Sequence, residues 1–254
     1  MNTPVHTEAR DGVLIVTINR PEARNAINTA TAEAIGAAMD RLDADPTLVC
    51  GVVTGAGGTF CAGMDLAAFL AGERPSIPVR GFAGIVEQPS AKPLVAAVEG
   101  AAVAGGFEIA LACDLVVATE RTRFGLPEVS RGLVAAGGGL LRLAERIPMA
   151  LAMEWALTGA LVPAQRAYEV GLVNRITTVG GALDAALELA GAIAANGPLA
   201  VRASKRILGE CGGWPAPARF DLMREISLPV RGSADAREGA LAFTEKRPPV
   251  WRGE

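Results

Sequence analysis

Short apolar runs alternate with helical patterns over the first two thirds of the chain, and this alternation restricts the possible folds more than any other feature. Four runs are rich in branched or small apolar residues, which is typical of buried strands; they lie at residues 13–18, 49–54, 94–98 and 115–118. Residues 29–42 place apolar side chains at helical spacing, and residues 105–112 begin another helix. Strands that alternate with helices predict an α/β core.

The last third of the chain carries helical patterns alone. We predict helices over residues 150–157, 164–170, 182–194, 199–209, 218–226 and 234–245. Pro248 and Pro249 prevent the last helix from continuing. We expect residues 1–196 to form the α/β core and residues 197–254 to form a helical C-terminal region. Residues 72–89 contain three prolines and no clear period, so we expect a mobile loop with some helix there.

The charge balance and the rare residue types exclude several kinds of function. With 24 basic and 27 acidic residues the net charge is −3, so no basic field over the whole protein attracts nucleic acid. Aromatic residues make up 4% of the chain and do not interleave with basic ones, which argues against stacking on bases. His6 is the one histidine in the sequence, which argues against a histidine-based triad and a histidine-rich metal site. We predict no nucleic-acid partner and no metal.

The cysteines and the apolar segments indicate where the protein works. Four cysteines form no C-x-x-C pair, and scattered cysteines in apolar surroundings behave as small core residues; they are Cys50, Cys61, Cys113 and Cys211. The first residues contain no apolar segment of the kind found in signal peptides. The uncharged run of residues 46–64 has membrane length, but five glycines, three threonines and one proline interrupt it. We expect a cytoplasmic protein with no membrane contact.

Two glycine-containing turns follow predicted strands and lead into helices. The first spans residues 60–66 and the second residues 100–108. A helix N-terminus has unpaired N–H groups and the positive end of the helix dipole, so it favours a developing negative charge. If the two turns face each other, the N–H groups of Met64 and Gly105 form an oxyanion hole. The alternative is that the glycines only permit turns and close packing. Neither turn matches a nucleotide-binding loop convincingly.

Two glutamates stand near the second turn. Glu108 lies in an otherwise apolar helix start. It is either on an exposed stripe, where its charge complements the helix dipole, or buried, where it serves catalysis. Glu128 alone is typical of a loop acid, but with Glu108 it offers a carboxylate pair that burial and repulsion can tune into one acid and one base. We also expect Asp65 to cap the helix after the first turn, and Lys92 and Arg142 to be solvated.

Together these residues resemble the crotonase family, also called the enoyl-CoA hydratase/isomerase superfamily. The resemblance covers nearly the whole chain and rests on five segments in the family's order: residues 19–26, 54–66, 95–108, 124–143 and 238–247. It implies an α/β fold built as a spiral of ββα units with a C-terminal helical region. It also implies an acyl-CoA substrate and assembly as a homotrimer or a dimer of trimers through residues 197–254.

The resemblance implies hydration of a 2-enoyl-CoA to a 3-hydroxyacyl-CoA, because hydratases of the family carry both glutamates. In that reaction the thioester carbonyl binds the N–H groups of Met64 and Gly105. Glu108 orients and activates the water, and Glu128 gives the proton to C2. No metal or redox cofactor is needed, and coenzyme A enters only as part of the substrate.

The resemblance also implies a bent groove for coenzyme A. Small side chains there allow close backbone approach; the groove residues are Arg24, Ala26, Ala62, Asp65 and Leu66. Phe243 and Lys246 of the closing helix complete it, one near the adenine and one pairing with a phosphate. The C-terminal region is too short to form a large core, so its apolar residues are expected to pack on the core and on neighbouring subunits.

Two departures from the family pattern affect the pocket wall. Ala104 stands where many hydratases have a third glycine of the turn, and residues 134–136 replace a Pro-Gly pattern. Residues 106–110 and 243–251 resemble the carnitinyl-CoA dehydratase branch in particular, so crotonobetainyl-CoA hydration is an alternative. A non-catalytic acyl-CoA binder is another, against which the two glutamates argue. An RNA-associated relative is a third, against which the acidic balance argues.

Overall fold

The strands of the protein form three sheets, in a computed structural model that describes residues 3–254. Their bounds are β1 Val5–Arg10, β2 Val13–Ile18, β3 Cys50–Gly55, β4 Ser76–Ile77, β5 Gly81–Phe82, β6 Leu94–Val98, β7 Ala101–Val103, β8 Leu115–Thr119, β9 Arg123–Gly125, β10 Val162–Pro163 and β11 Arg175–Thr177. The four strands predicted from apolar runs are confirmed as β2, β3, β6 and β8.

The helices follow the strands in chain order. Their bounds are α1 Thr29–Ala44, α2 Leu66–Leu70, α3 Gly105–Ala112, α4 Gly139–Arg146, α5 Met149–Thr158, α6 Ala164–Glu169, α7 Ala182–Ala194, α8 Pro198–Glu210, α9 Arg219–Arg231 and α10 Ala234–Glu245. Asn28 begins α1 by accepting a hydrogen bond from the Thr31 N–H, as residues of this type do at helix N-termini. Short 3₁₀ helices cover Pro21–Ala23 and Pro127–Arg131.

The large sheet has the strand order β1-β2-β3-β6-β8-β11. Strands β1 and β2 are antiparallel, and the other neighbours are parallel. Parallel strands covered on both faces read as continuous apolar runs rather than as an alternation. This explains why the central strands were evident in the sequence.

The two faces of the large sheet bury different partners. On one face, alternate strand residues such as Val52, Val95 and Val117 pack on α7. Helix α7 presents an alanine stripe at four-residue spacing to them, formed by Ala182, Ala186 and Ala190. The opposite face packs on the apolar sides of α1 and α3 in the main core. The large sheet therefore positions α3 by packing against its apolar side.

The chain leaves the large sheet repeatedly to add strands to a smaller one, of order β10-β9-β7. It passes from β6 to β7 and then into α3, and from β8 to β9 and then into the 3₁₀ helix Pro127–Arg131. Gly100 makes the first of these turns with φ +60°, where a Cβ would lie 2.3 Å from the Gly58 carbonyl oxygen. Repetition of this step gives the spiral of ββα units with a helical C-terminal region, so the predicted fold class is confirmed.

Residues 72–89 differ from the prediction. They contain a two-stranded antiparallel sheet, β4 with β5, and no helix. The segment after β5 approaches α1, since a Cβ on Gly84 would lie 2.4 Å from the Ala32 carbonyl oxygen, and it buries Ala83, Ile85 and Val86 in the main core. The apolar residues in this segment are too irregularly spaced to show a period, because they are buried singly against a helix.

The C-terminal helices are the least buried part of the described chain. Helices α8 and α9 contain no buried residue, whereas Phe220, Leu228 and Phe243 are exposed. The division at residue 197 and the assembly role of this region stay predictions. No helix within residues 3–254 combines the length and the apolar character that crossing a membrane requires.

Candidate active site

The two glycine turns lie side by side. The N–H of Cys61 donates to the Ala101 carbonyl, and the N–H of Val103 donates to the Cys61 carbonyl, each at 3.1 Å. Gly106 has no side chain because a Cβ there would lie 2.1 Å from the Cys61 carbonyl oxygen. A further bond joins the Ala104 N–H to the Gly125 carbonyl at 2.9 Å. The backbone register of the two sheets therefore brings both turns together.

Met64 and Gly105 offer adjacent N–H groups. A Cβ built on Gly63 would lie 3.0 Å from the Gly105 nitrogen, so the peptide before Met64 touches the start of α3. Within residues 3–254, neither the Met64 N–H nor the Gly105 N–H donates to a protein oxygen. The bonds on either side of Met64 are made, since the Ile27 N–H donates to the Gly63 carbonyl at 2.8 Å and the Asp65 N–H donates to the Ile27 carbonyl at 2.9 Å. The pair is suited to bind one oxyanion.

Ala104 begins α3 in an unusual backbone conformation. Its φ is +51° and its ψ is −130°, a region that glycine adopts freely and other L-residues avoid. Its carbonyl accepts the first helical bonds, from the N–H groups of Phe107 at 2.9 Å and Glu108 at 3.1 Å. Such strain persists only where the surroundings enforce it, and it concentrates at functional sites.

Glu108 is held inside the protein, with 4% of its surface exposed. Its Oε1 accepts a 3.0 Å hydrogen bond from the Gly139 N–H. Glycine is required around this carboxylate, because a Cβ on Gly137 would lie 2.6 Å from its Oε2 and one on Gly139 would lie 2.8 Å from its Cγ. Burial raises the pKa of Glu108, while the Gly139 and Gly137 N–H groups and the Arg142 charge oppose that rise. The exposed-stripe alternative is therefore excluded.

Glu128 lies in the 3₁₀ helix Pro127–Arg131 and is partly buried. Its Oε2 is buried and has no hydrogen-bond partner among the described residues. Burial raises the pKa of Glu128, and the negative charge of Glu108 raises it further. The two carboxyl groups are thus close enough to influence each other, and the buried Oε2 of Glu128 is left without a protein donor within residues 3–254.

The five groove residues near the first turn are brought together. The Arg24 carbonyl accepts a 3.1 Å hydrogen bond from the Ala62 N–H, so the chain at Ala26 runs beside the turn. Asp65 caps α2, as predicted, by accepting from the N–H groups of Ala67 and Ala68. Leu66 follows it and is exposed.

Arg20 fixes this groove, and it was not among the groove residues predicted from the sequence. Its Nη2 pairs with the Asp65 Oδ2 at 2.9 Å, and its Nη1 donates to the Ala26 carbonyl. Burial opposes ionisation of Asp65, but hydrogen bonds from Ala68, Arg20 and Ala67 outweigh it and lower the pKa of Asp65. The ion pair holds residues 24–27 against the first turn.

Phe243 and Lys246 lie elsewhere in the chain. Phe243 is 86% exposed on α10, and Lys246 ends that helix with φ +55°. No hydrogen bond or salt bridge among residues 3–254 joins either of them to the groove. Their predicted contacts with coenzyme A stay a prediction.

Two basic residues expected to be solvated are not, and the expectation was wrong for both. Lys92 is buried and donates to the Asp45 carbonyl at 2.6 Å. Arg142 is partly buried, its Nη2 donates to the Val86 carbonyl, and its charge acts on Glu108. Both side chains satisfy backbone carbonyls distant in sequence, which spacing along a single chain cannot reveal.

The remaining groups at the site are apolar or inert. Phe82 packs on the start of α3, where a Cβ on Gly105 would lie 2.5 Å from its ring. Cys61 lies under the first turn, and burial raises the pKa of its thiol to about 12. Across the described part of the chain, no group of three or more His, Cys, Asp or Glu side chains is arranged to hold a metal ion.

Comparison with known proteins agrees with this geometry. The family model described as enoyl-CoA hydratase/isomerase matches residues 8–254. Enoyl-CoA hydratase EchA19 of Mycobacterium tuberculosis is 45% identical over 95% of this chain and 94% of its own length. Carnitinyl-CoA dehydratase of Proteus mirabilis is 41% identical over the full length of both chains.

Solved structures give the same result. The crystal structure of enoyl-CoA hydratase EchA1 from Mycobacterium marinum superposes with a TM-score of 0.98 at 57% identity and covers 100% of both chains. This similarity extends over the full length of both chains. The chain belongs to the enoyl-CoA hydratase/isomerase family.

Proposed function

We propose that the protein is an enoyl-CoA hydratase, which adds water reversibly and with syn geometry across the double bond of a 2-enoyl-CoA to give a 3-hydroxyacyl-CoA. The observation that carries the proposal is the pairing of the buried Glu108 and the partly buried Glu128 near two backbone N–H groups that have no protein acceptor among the described residues. A binding protein has no need to bury Glu108 or to leave Glu128 Oε2 without a partner, since each costs stability.

The oxyanion hole activates the substrate. The thioester oxygen accepts from the N–H groups of Met64 and Gly105, which withdraw electrons from the conjugated C2–C3 double bond. Negative charge on that oxygen grows as water adds to C3 and an enolate forms, so both bonds strengthen toward the transition state. One such donor is typically worth about 3 kcal/mol of barrier.

The surroundings divide the work between the two carboxyl groups. Burial raises the pKa of Glu108, but the Gly139 N–H and the charge of Arg142 oppose that rise and favour its ionised form. Glu108 takes a proton from the water as the C3–O bond forms. Glu128 has an unpartnered oxygen and faces the charge of Glu108, which favours its protonated form. It gives that proton to C2, and exchange with solvent returns both groups to their starting states.

The groove and the C-terminal helices bind the rest of the substrate. Arg24, Ala26, Ala62, Asp65 and Leu66 form the wall against which the coenzyme A moiety lies. We further propose a homotrimer or a dimer of trimers, in which exposed apolar side chains of α8–α10 are covered by neighbouring subunits. Phe243 and Lys246 of α10 then reach the groove of another subunit.

Conservative changes at the two carboxyl groups test the proposal. Glu108→Gln and Glu128→Gln should each lower kcat for crotonyl-CoA hydration, followed by loss of conjugated thioester absorbance, by about 100- to 10,000-fold. The affinity for butyryl-CoA, a saturated analogue, should change little. Because both groups act in one transition state, the double variant should lose far less than the product of the single losses. Glu120→Gln, at an exposed carboxylate, is the matched control.

Three results would redirect the assignment. Full activity in Glu108→Gln with none in Glu128→Gln would favour a one-base isomerase. Hydration of crotonobetainyl-CoA with a higher kcat/KM than crotonyl-CoA would favour the carnitinyl-CoA dehydratase alternative, which the identity to the Proteus mirabilis protein supports. If the protein turned over neither substrate but bound butyryl-CoA tightly, it would be a non-catalytic acyl-CoA-binding protein.

A further inference from the structure

The guanidinium of Arg142 folds back over the start of its own helix. The backbone N–H of Arg142 makes the ordinary helical hydrogen bond to the Gly138 carbonyl at 3.1 Å, so the side chain begins one turn after Gly138. Its Nη1 lies where a side chain on residue 138 would point, 2.7 Å from a Cβ built on Gly138. Its Nη2 donates to the Val86 carbonyl, in the segment after β5. Arg142 therefore ties the glycine turn of residues 137–139 to a different part of the chain.

That turn is the one that holds Glu108. Gly138 has φ +84°, and the next residue, Gly139, donates its N–H to the Glu108 Oε1. Gly137 and Gly139 also line the carboxylate so closely that no side chain fits at either position. Movement of the turn would move the hydrogen bond and the wall of the site together.

Arg142 acts on the charge of Glu108 without forming a salt bridge to it. Among the described residues, no salt bridge within 4.0 Å includes Arg142. The positive charge of Arg142 still favours the ionised form of Glu108. Burial lowers the pKa of Arg142, and because its side chain is partly buried, solvent screens its charge only in part. The other titratable groups that act on Arg142 are Glu145, Arg146 and the buried Cys113 thiol, whereas Arg131, which is exposed, acts on Glu128.

We infer that Arg142 is a positioning residue for hydration: it fixes the turn of residues 137–139 against Val86 and keeps Glu108 ionised while Glu128 holds the proton. The inference rests on the proposed hydratase function. A direct salt bridge would lower the pKa of Glu108 further and make it a weaker base, whereas Arg142 acts on its charge without occupying a carboxylate oxygen.

The test compares Arg142→Met and Arg142→Lys with Arg146→Met. Arg146 lies one turn later on α4 and donates to the Cys113 carbonyl at 2.6 Å, so its loss removes a similar cation and one backbone hydrogen bond. In Arg142→Met the acid limb of the kcat/KM profile, which reports ionisation of the base, should move to higher pH by about half a unit to one unit. The kcat at the optimum should fall about 10- to 100-fold, because the turn loosens.

Arg142→Lys keeps the charge and should restore the acid limb but only part of kcat. Arg146→Met should leave the profile unshifted, and butyryl-CoA affinity should stay within about twofold in all three variants. A profile of Arg142→Met that superposes on the wild type, or an equal shift in Arg146→Met, would overturn the inference. The apparent pKa of the acid limb is a property of both coupled carboxyl groups. The test therefore compares the difference in this pKa between variants, not its absolute value.

A second measurement does not depend on turnover. Carbon-13 NMR of the glutamate side-chain carboxyls, with the Glu108 signal assigned by its loss in Glu108→Gln, follows the titration of Glu108 directly. Its midpoint should rise in Arg142→Met and stay in place in Arg146→Met. This result would stand if the wild type hydrated neither crotonyl-CoA nor crotonobetainyl-CoA. In that case the proposed hydratase function would be wrong, but the effect of Arg142 on Glu108 would remain. An unchanged titration midpoint in Arg142→Met would refute the role of Arg142.

Discussion

Replacing Ala104 by glycine should stabilise the protein and change its activity little. An alanine with φ +51° and ψ −130° carries strain of about 1–3 kcal/mol. Glycine relieves it but costs about 0.4–1 kcal/mol through the greater freedom of the unfolded chain. The hydrogen bonds of the Ala104 backbone, to Gly125 and from Phe107 and Glu108, do not involve the methyl group and are retained. The expected net gain is about 1 kcal/mol.

Urea unfolding at fixed protomer concentration measures this difference. A gain of about 1 kcal/mol corresponds to about 2–4 °C in Tm for a chain of this size. The kcat for crotonyl-CoA should change little, because the hydrogen bonds of the Ala104 backbone are retained and the family resemblance places a glycine here in many hydratases.

Ala101→Gly is the matched control, because Ala101 is also partly buried and lies in β7 with an ordinary backbone conformation. It should lose about 0.5–1 kcal/mol, as glycine does in a strand. If Ala104→Gly were destabilised as much as Ala101→Gly, the conformation at Ala104 would not be strained, and the reasoning would be refuted.

Three further predictions concern the C-terminal region. Lys246→Ala should weaken coenzyme A binding at low salt more than the exposed control Arg206→Ala does. If the two variants bind coenzyme A with equal affinity, Lys246 does not contact a phosphate. Light scattering at micromolar concentration should give a mass of three or six chains, and a monomer mass would contradict the proposed assembly. Hydrogen bonds from Arg247 lower the pKa of Glu238 to about 2. The stabilisation is complete above the unfolded value of about 4.5 and is lost as the pH falls toward 2. Urea titrations should therefore show a shallower acid loss in Glu238→Gln than in the wild type.

The fold was predictable wherever a segment is buried on both sides. Strands β2, β3, β6 and β8 are continuous apolar runs for that reason. Strand β1 escaped detection because it lies at the sheet edge with five of its six residues exposed. Strands β7 and β9 have three residues each, too few for a period to show.

The site was predictable where a residue conflicts with its surroundings. Glu108 was noticed because a carboxylate is out of place in an apolar helix, and its burial confirms that the conflict is real. Arg142 was misjudged because a cation on a polar helix face looks solvated until its partner, the Val86 carbonyl, is known. The ion pair of Arg20 with Asp65 links residues 45 positions apart and leaves no local trace.

The position of the whole site follows from the order of three parallel strands. Strands β3, β6 and β8 are neighbours in the large sheet, so their carboxyl ends lie at one edge, about 4.8 Å apart. The turn to Met64 follows β3, the turn to Gly105 and Glu108 follows β6, and the segment with Glu128 follows β8 and β9. Open α/β sheets bind ligands at that edge. The sheet register, more than any side-chain contact, therefore sets the spacing between oxyanion donors and carboxyl groups. Residues such as Gly63, Gly106 and Gly139 serve this arrangement by letting backbones meet where side chains would separate them.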